Sequence, residues 1–473
     1  MFVILMGGRL YLDYRIEPLI LCSAVIAGFM AWYLRCQWQQ LEEAILNKIN
    51  VAMQGMLIIF SVGCMVGAWM FCGTVPFMVY WGLELVNPNY MLLSAFLICA
   101  LTSCCTGTSW GSAATIGVAM IGIAHGLGIP LAPVAGAALS GCYVGDKLSP
   151  LSDTTNLAPA VAGATTYEHI GHMFYTTIPG TILCCIVFFF ASSSVTGELH
   201  TPAQVQDFMN QLTEIYTLHF LLAVPPLLLI TGSILRWPIL PTIILTTILS
   251  VALGCLLQGF DLRGGILSTT TGFKVSMTHY LATPTESVQT LLNRGGMMGV
   301  LENMGMLCVA MAFGGIMHGS GMLTVVLQKM LKRVRSDGGL IASTLLSCVV
   351  LCFSTGSAYM GILIPGSLFK ESYLKRRLHP KNLSRALEDS ATMLDGAIPW
   401  ASGAVYMSGV LGVSAFEYVP WMVFNYSSVF IGLACAMLGI GIVKISAEDA
   451  KERLATSQMD TVLIEETPEP VQA

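Results

Sequence analysis

Residues 145–156 read GDKLSPLSDTTN: two carboxylates, one ammonium and a run of hydroxyls, set between apolar segments. Pro150 cannot sit inside a continuing helix, so the chain breaks here and frees carbonyls around Lys147. Upstream, Pro130–Val144 is rich in Gly, Ala and Ser; downstream, Met173–Ala191 is apolar. Working outward, the whole chain proves greasy. Of 473 residues, 55% are hydrophobic and 10% charged, against about 25% charged in a soluble domain. The runs Leu19–Leu34, Gln54–Cys72, Pro238–Leu257 and Trp421–Val443 approach the roughly 20 apolar residues that cross a bilayer. Met91–Cys105, Leu218–Leu235, Met304–Met317 and Leu340–Phe353 add shorter or broken runs. These segments are continuously apolar rather than alternating, which excludes a β-barrel. The expected fold is an all-α polytopic membrane protein of about 10–12 transmembrane helices. Phe2–Met6 is too short to span, lacks a signal-peptide layout and reads as the remnant of an incomplete first helix. The 15 Cys lie scattered through apolar runs and read as small packing residues.

Sliding the chain against itself by 249 positions aligns unusual residues without a gap. Cys99 meets Cys348, Thr106 meets Thr355, Gly107 meets Gly356, Asp146 meets Asp395, Pro150 meets Pro399 and Glu168 meets Glu417. The basic residues of matched connections differ. Lys370–Arg385 carries Lys370, Lys375, Arg376, Arg377, Lys381 and Arg385, while its counterpart Ile121–Gly136 carries none. Lys329–Arg335 is basic and Tyr80–Val86 is not; the tail has Lys444, Lys451 and Arg453, whereas Thr196–Ile215 has only acids. Lys and Arg collect in short cytoplasmic loops, so equivalent loops are expected on opposite sides. That predicts two inverted-topology repeats, which in secondary transporters place the substrate near the midplane. The expected organisation is a first repeat over 1–195, an external connection over 196–215, a second, inverted repeat over 216–444 and a polar, disordered cytoplasmic tail over 445–473. The basic loops only set orientation and carry no chemistry in this reading.

Two further segments interrupt what should be spans: Thr106–Ser112 (TGTSWGS) and Ser354–Tyr359 (STGSAY). Gly weakens a helix, and Ser and Thr oxygens can replace lost backbone partners. Unwound backbone at membrane depth persists only inside protein or along a cavity, so paired breaks point to a paired site. An intramembrane acid costs at least about 2.5–3.5 kcal/mol on the insertion scale. Lys147 can pair with Asp146 or Asp153, which still leaves one negative charge among the oxygens of Ser149, Ser152, Thr154 and Asn156. Such oxygen-rich, residually anionic surroundings suit a small hard cation such as Na⁺. The candidate Na⁺/H⁺ site is Asp146, Asp153, Ser149, Ser152, Thr154 and Asn156, with Thr106, Ser109, Thr355, Ser357 and Asp395 from the breaks and the second half. Asp153 is the acid whose loss is expected to abolish exchange. Asp389 reads as a solvated helix-end residue, and Glu168, Glu417, His169 and His172 as interfacial groups. There is no GxxxxGK[ST] phosphate loop, nucleophile–base pair or metal triad, so neither an ATP-driven pump nor an enzyme is expected, and no cofactor.

TGTSWGSAATIGVAMIGIA, GCYVGDKLSPLSDTTNLAPAVAG, STGSAYMGILIP and MLDGAIPWASGAVYM together resemble the NhaC family of Na⁺/H⁺ antiporters over most of the chain. The resemblance implies a multi-pass transporter of the cell inner membrane, with two inverted halves, broken helices and re-entrant hairpins. On that analogy Asp146, Asp153 and nearby Ser/Thr belong to the ion site. The leading expectation is Na⁺/H⁺ exchange at midplane carboxylates. The alternative is a Na⁺/H⁺-coupled exchanger of malate or lactate, in which Lys147 holds a substrate carboxylate. The expected partners are the bilayer, Na⁺, H⁺ and, in the alternative, small carboxylates; no nucleic acid is expected. A homodimer is common in this architecture, though no sequence feature demands it. The C-terminus is expected in the cytoplasm.

Overall fold

The computed structural model describes residues 16–195, 202–280, 283–332 and 334–455. Phe2–Met6, residues 196–201 of the expected external loop and residues 456–473 of the expected tail lie outside them.

The first part of the chain runs through α1 (Ile16–Tyr33), α2 (Trp38–Cys72), α3 (Thr74–Leu85), α4 (Met91–Thr106) and α5 (Ser109–Leu127). It continues with α6 (Leu131–Leu148), α7 (Asp153–Ala162) and α8 (Thr166–Val195). There follow α9 (Pro202–Ile215), α10 (Val224–Ile234), α11 (Ile239–Gln258), α12 (Leu262–Thr271) and α13 (Glu286–Leu292). The rest comprises α14 (Leu301–Gly319), α15 (Met322–Lys332), α16 (Asp337–Thr355), α17 (Ala358–Lys375), α18 (Pro380–Leu387), α19 (Ser402–Leu411), α20 (Ala415–Tyr418) and α21 (Val423–Leu438). Between α18 and α19, a π-helical turn at Glu388–Thr392 leads into a last helical turn at Met393–Asp395.

Among the described residues, seven helices are long and apolar enough to cross a membrane, or nine if each of two bent pairs is one span. That is fewer than the sequence suggested, because the chemistry-bearing segments are cut into short pieces. α6 is 18 residues long, but its Gly, Ala and Ser, with Asp146 and Lys147 at its end, make it a buried inner helix rather than a greasy span. Small residues let it lie close to α4: Gly141 abuts the Phe96 carbonyl and Gly145 the backbone at Ala100 and Cys104. A Cβ at either would collide with backbone, so this helix–helix contact depends on glycine.

The 249-residue offset also recurs in local geometry. Gly107 ends α4 at φ 71°, and Gly356 ends α16 at φ 62°, both left-handed. The next residues are extended, Thr108 at φ −149° and Ser357 at φ −144°. α7 and α19 occupy matched positions and stop at Gly163 and Gly412, again left-handed.

Contacts sort the connections to two ends of the molecule. α3 and the last part of α5 run side by side in one direction, Val79 by Gly122 and Leu83 by Gly126, so residues 86–90 and 128–130 emerge together. Ser192, near the end of α8, receives the Leu92 N–H at 3.2 Å. α9 joins the same end through Phe208, which faces Gly126. The part of Thr196–Ile215 expected as loop is therefore largely a helix that buries Phe208, Met209, Leu212 and Ile215. α8 has 30 residues and spans about 45 Å. At its other end Glu168 meets His379 at 3.5 Å. There Val443 accepts the His379 N–H at 2.9 Å, and the Ile445 N–H reaches the Arg377 carbonyl at 2.9 Å. Lys444 and Arg376 both pair with Asp337. The tail begins not as disorder but as a docked strand-like segment followed by a helix over 447–455.

Candidate ion-binding site

A cavity of about 470 Å³ opens beside both helix breaks. One wall comes from Lys48, Ala52, Gly55 and Ile58 of α2, with Ile239 and Met311. The rest of the wall holds Asp146, Asp153, Asp395 and the backbone-broken segments Gly107–Trp110 and Ser357–Tyr359.

Asp146 and Asp395 occupy matched places in this wall. Asp146 is 6% exposed and accepts the Ser109 hydroxyl at 2.8 Å; the Ser152 hydroxyl also turns toward it. Asp395 is 7% exposed and accepts the Ser402 hydroxyl at 3.2 Å, with the N–H groups of Ala358 and Gly403 directed at its carboxylate. Each acid thus faces the starts of two helices, α5 and α7 for Asp146 and α17 and α19 for Asp395. Helix N-termini present free N–H groups and partial positive charge, which explains how the fold tolerates two carboxylates in a dry place. A hydroxyl that donates to a carboxylate keeps its lone pairs for a cation.

The other expected residues divide. Ser109, Ser152, Thr154 and Ser357 line the cavity. Asp153 lines it too, but with an exposed side chain at the first turn of α7. Thr154 gives its hydroxyl to Glu388 at 3.0 Å. Thr106 is bonded to Ser112 at 3.0 Å and Thr355 to the Leu351 carbonyl at 2.7 Å; both brace the breaks from outside the cavity. Ser149 is buried behind the wall, where its hydroxyl accepts the Leu151 N–H. Asn156 ties down the loop by donating to the Pro150 and Ser152 carbonyls at 2.8 and 2.7 Å. The carbonyls freed by Pro150 are taken by Thr155, whose hydroxyl reaches the Asp146 and Lys147 oxygens at 3.1 and 3.5 Å.

Lys147 does not pair with Asp146 or Asp153. It turns away from the cavity to Asp389, with Nζ 2.5 Å from Oδ1, and donates to Ser428 at 2.6 Å. The reading of Asp389 as a solvated end residue is corrected: it is 1% exposed, because the π-helical turn swings it inward toward α6, α8 and α21. Thr176 and Ser428 complete its shell at 2.8 and 3.2 Å. Arg385, assigned above to a solvated loop, is also buried, 3.9 Å from Asp389 and 3.3 Å from His172. His169 and His172 are buried rather than interfacial.

Several lining groups escaped the sequence reading. Tyr143 sits in the cavity wall next to Gly396, with its hydroxyl unpartnered. Nothing in the sequence sets it apart from other buried aromatics. Lys48 did leave a signal, a lone cation ahead of the apolar run beginning at Gln54. The run alone does not place it inside the span, because α2, at 35 residues, is far longer than that run.

One prediction follows from the break itself. Gly107→Ala puts a Cβ where φ is 71° and where Leu151 already packs. A left-handed non-glycine residue costs about 1–2 kcal/mol, and the displaced Leu151 adds to it. The variant is expected to melt lower in detergent; a wild-type melting profile would show that the turn is not needed.

An all-helical bundle with broken helices around a polar, carboxylate-bearing cavity has the build of a multi-pass membrane transporter, and the relatives it matches are transporters rather than enzymes. The Na⁺/H⁺ antiporter family matches residues 141–440. A protein of Haemophilus influenzae named as a Na⁺/H⁺ antiporter is 40% identical, over 94% of this chain and 95% of its own length. The Na⁺/H⁺ antiporter NhaC of Alkalihalophilus pseudofirmus is 33% identical, over 90% and 91%. The malate-2H⁺/Na⁺-lactate antiporter of Bacillus subtilis is also 33% identical, over 91% and 90%. The chain belongs to the Na⁺/H⁺ antiporter family.

Proposed function

We propose that this cavity exchanges Na⁺ for H⁺ by alternating access, with Asp146 and Asp395 as the shared carboxylates. The observation that carries the reading is their placement: two buried acids from paired positions face one cavity beside two helix breaks. Ser109, Ser152, Ser357 and Ser402 supply neutral oxygens, a donor set suited to a hard cation. Na⁺ and H⁺ compete for the same carboxylate oxygens, so binding one expels the other. Crossing only in the loaded state turns that competition into exchange. The ion gradients supply the energy, with about 2.3 kcal/mol per charge per 100 mV where net charge moves. Inverted repeats support two-sided access, since matched connections emerge at opposite ends of α8. The end bearing Lys370–Arg385 and the docked tail is the cytoplasmic one in this reading.

A second reading keeps one specific support. The cavity is larger than a single Na⁺ needs, and the equally similar malate/lactate relative leaves room for an organic acid. Lys147 can no longer hold its carboxylate; Lys48 is the cation that lines the space among the described residues.

Everted vesicles with an imposed ΔpH decide between them. Added Na⁺ is expected to dissipate the gradient in the absence of any organic acid. Dissipation only when malate or lactate is also present would overturn the first reading.

A further inference from the structure

We propose that Lys48 is a tethered counter-cation, which shares Asp146 and Asp395 with the transported ion and so sets how many cations the cavity must take up before it crosses. The inference rests on the Na⁺/H⁺ reading and adds a residue and a charge rule to it.

Lys48 is 6% exposed and lies in the cavity wall contributed by α2. Among the described residues, its ammonium has no acceptor within hydrogen-bond or ion-pair distance. Leaving a charge buried and unpaired is expensive, and an anion that reaches the ammonium during the working cycle removes that cost. The anions it faces are Asp146 and Asp395, with Asp153 at the exposed edge. Glu388 lies behind Thr154, and Lys147 and Arg385 are committed to Asp389. A lysine can make the approach because its charge rides on a flexible four-carbon stem.

The position on α2 matters. α2 packs mainly on α11, α12 and α14 and also touches α19, while the carboxylates belong to the segments around the two breaks. Any relative movement of the two walls changes the distance from Lys48 to the acids, so the ammonium responds to the same motion that exposes the site. When Na⁺ sits between the carboxylates it repels Lys48; when Na⁺ leaves, Lys48 moves in.

The charge count gives the consequence. With the exposed, water-screened Asp153 left aside, the two buried carboxylates and one ammonium leave one negative charge, which a single Na⁺ or a single proton cancels. Without Lys48 one cation leaves the cavity negative, and a charged dry site crosses poorly.

Lys48→Gln, reconstituted at matched protein levels, is the test. Losing a cation from the wall of a partly screened cavity is expected to lower the half-saturating Na⁺ concentration about tenfold. The maximal rate falls by at least about tenfold, because the singly loaded site keeps a charge. Lys48→Arg keeps both near wild type. If Lys48→Gln does not insert, Lys48→Met serves with the same expectations. Unchanged Na⁺ half-saturation and rate in the neutral variant would overturn the proposal. So would a variant that loses only a malate- or lactate-dependent flux while Na⁺/H⁺ exchange persists, since Lys48 would then be an anion ligand. A wild-type protein without Na⁺-driven proton movement would instead defeat the exchange reading on which this one rests.

Discussion

Asp146→Asn is expected to abolish Na⁺-driven proton movement in everted vesicles while the protein still inserts and runs as a single species in detergent. The substitution keeps shape and an oxygen able to accept the Ser109 hydroxyl, which now lies 2.8 Å from the carboxylate. It removes the charge. Taking away one partner of a buried charge pair costs about 3–5 kcal/mol, and each 1.4 kcal/mol is tenfold in affinity, so Na⁺ binding should weaken by between roughly a hundredfold and a few thousandfold. Asp395→Asn should behave alike, because its shell of Ser402 and helix-start N–H groups repeats that of Asp146. Asp153→Asn should do less. Its carboxylate faces outward at the first turn of α7, where water screens it, and a loss below about tenfold is expected. Asp146→Asn with more than a tenth of wild-type exchange would remove Asp146 from the ion site. A null Asp153→Asn would return the central role to the acid that the sequence first put forward.

Lys147→Met should strike stability rather than selectivity. It removes the shortest partner of Asp389, which is 1% exposed and otherwise held by Thr176, Ser428 and Arg385 at 3.9 Å. Breaking a buried ion pair from one side costs about 3–5 kcal/mol, whereas replacing both partners by apolar groups is often neutral. Lys147→Met should therefore lower the yield of monodisperse protein and its melting temperature in detergent, and Lys147→Met/Asp389→Leu should recover only part of the loss, because it leaves the buried Arg385 without its carboxylate. A single variant that melts like wild type would show that the pair does not hold α6 against the π-helical turn. Recovery of folding without recovery of exchange would place the pair near the moving parts as well.

The contrast between these predictions follows what each level of structure can encode. The helix breaks were legible in the sequence because Gly, Pro and hydroxyl residues act within a few positions of themselves. Gly107 and Gly356 do end helices in left-handed conformations, and Pro150 does release carbonyls that Thr155 collects. Asp146 and Asp395 were legible as a pair because the same local pattern occurs twice. Ser149, Asn156, Thr106 and Thr355 could not be told from cavity-lining oxygens, since which way a short polar side chain turns depends on its neighbours in space.

By itself, then, the sequence determined an all-helical membrane chain and the places where its helices break, because apolarity and backbone restriction are local properties. Only the tertiary structure decided that Lys147 meets Asp389, 242 positions away, and that Lys48 looks across the cavity at the acids. Charge pairing is fixed by distance after packing, and local composition carries no record of it.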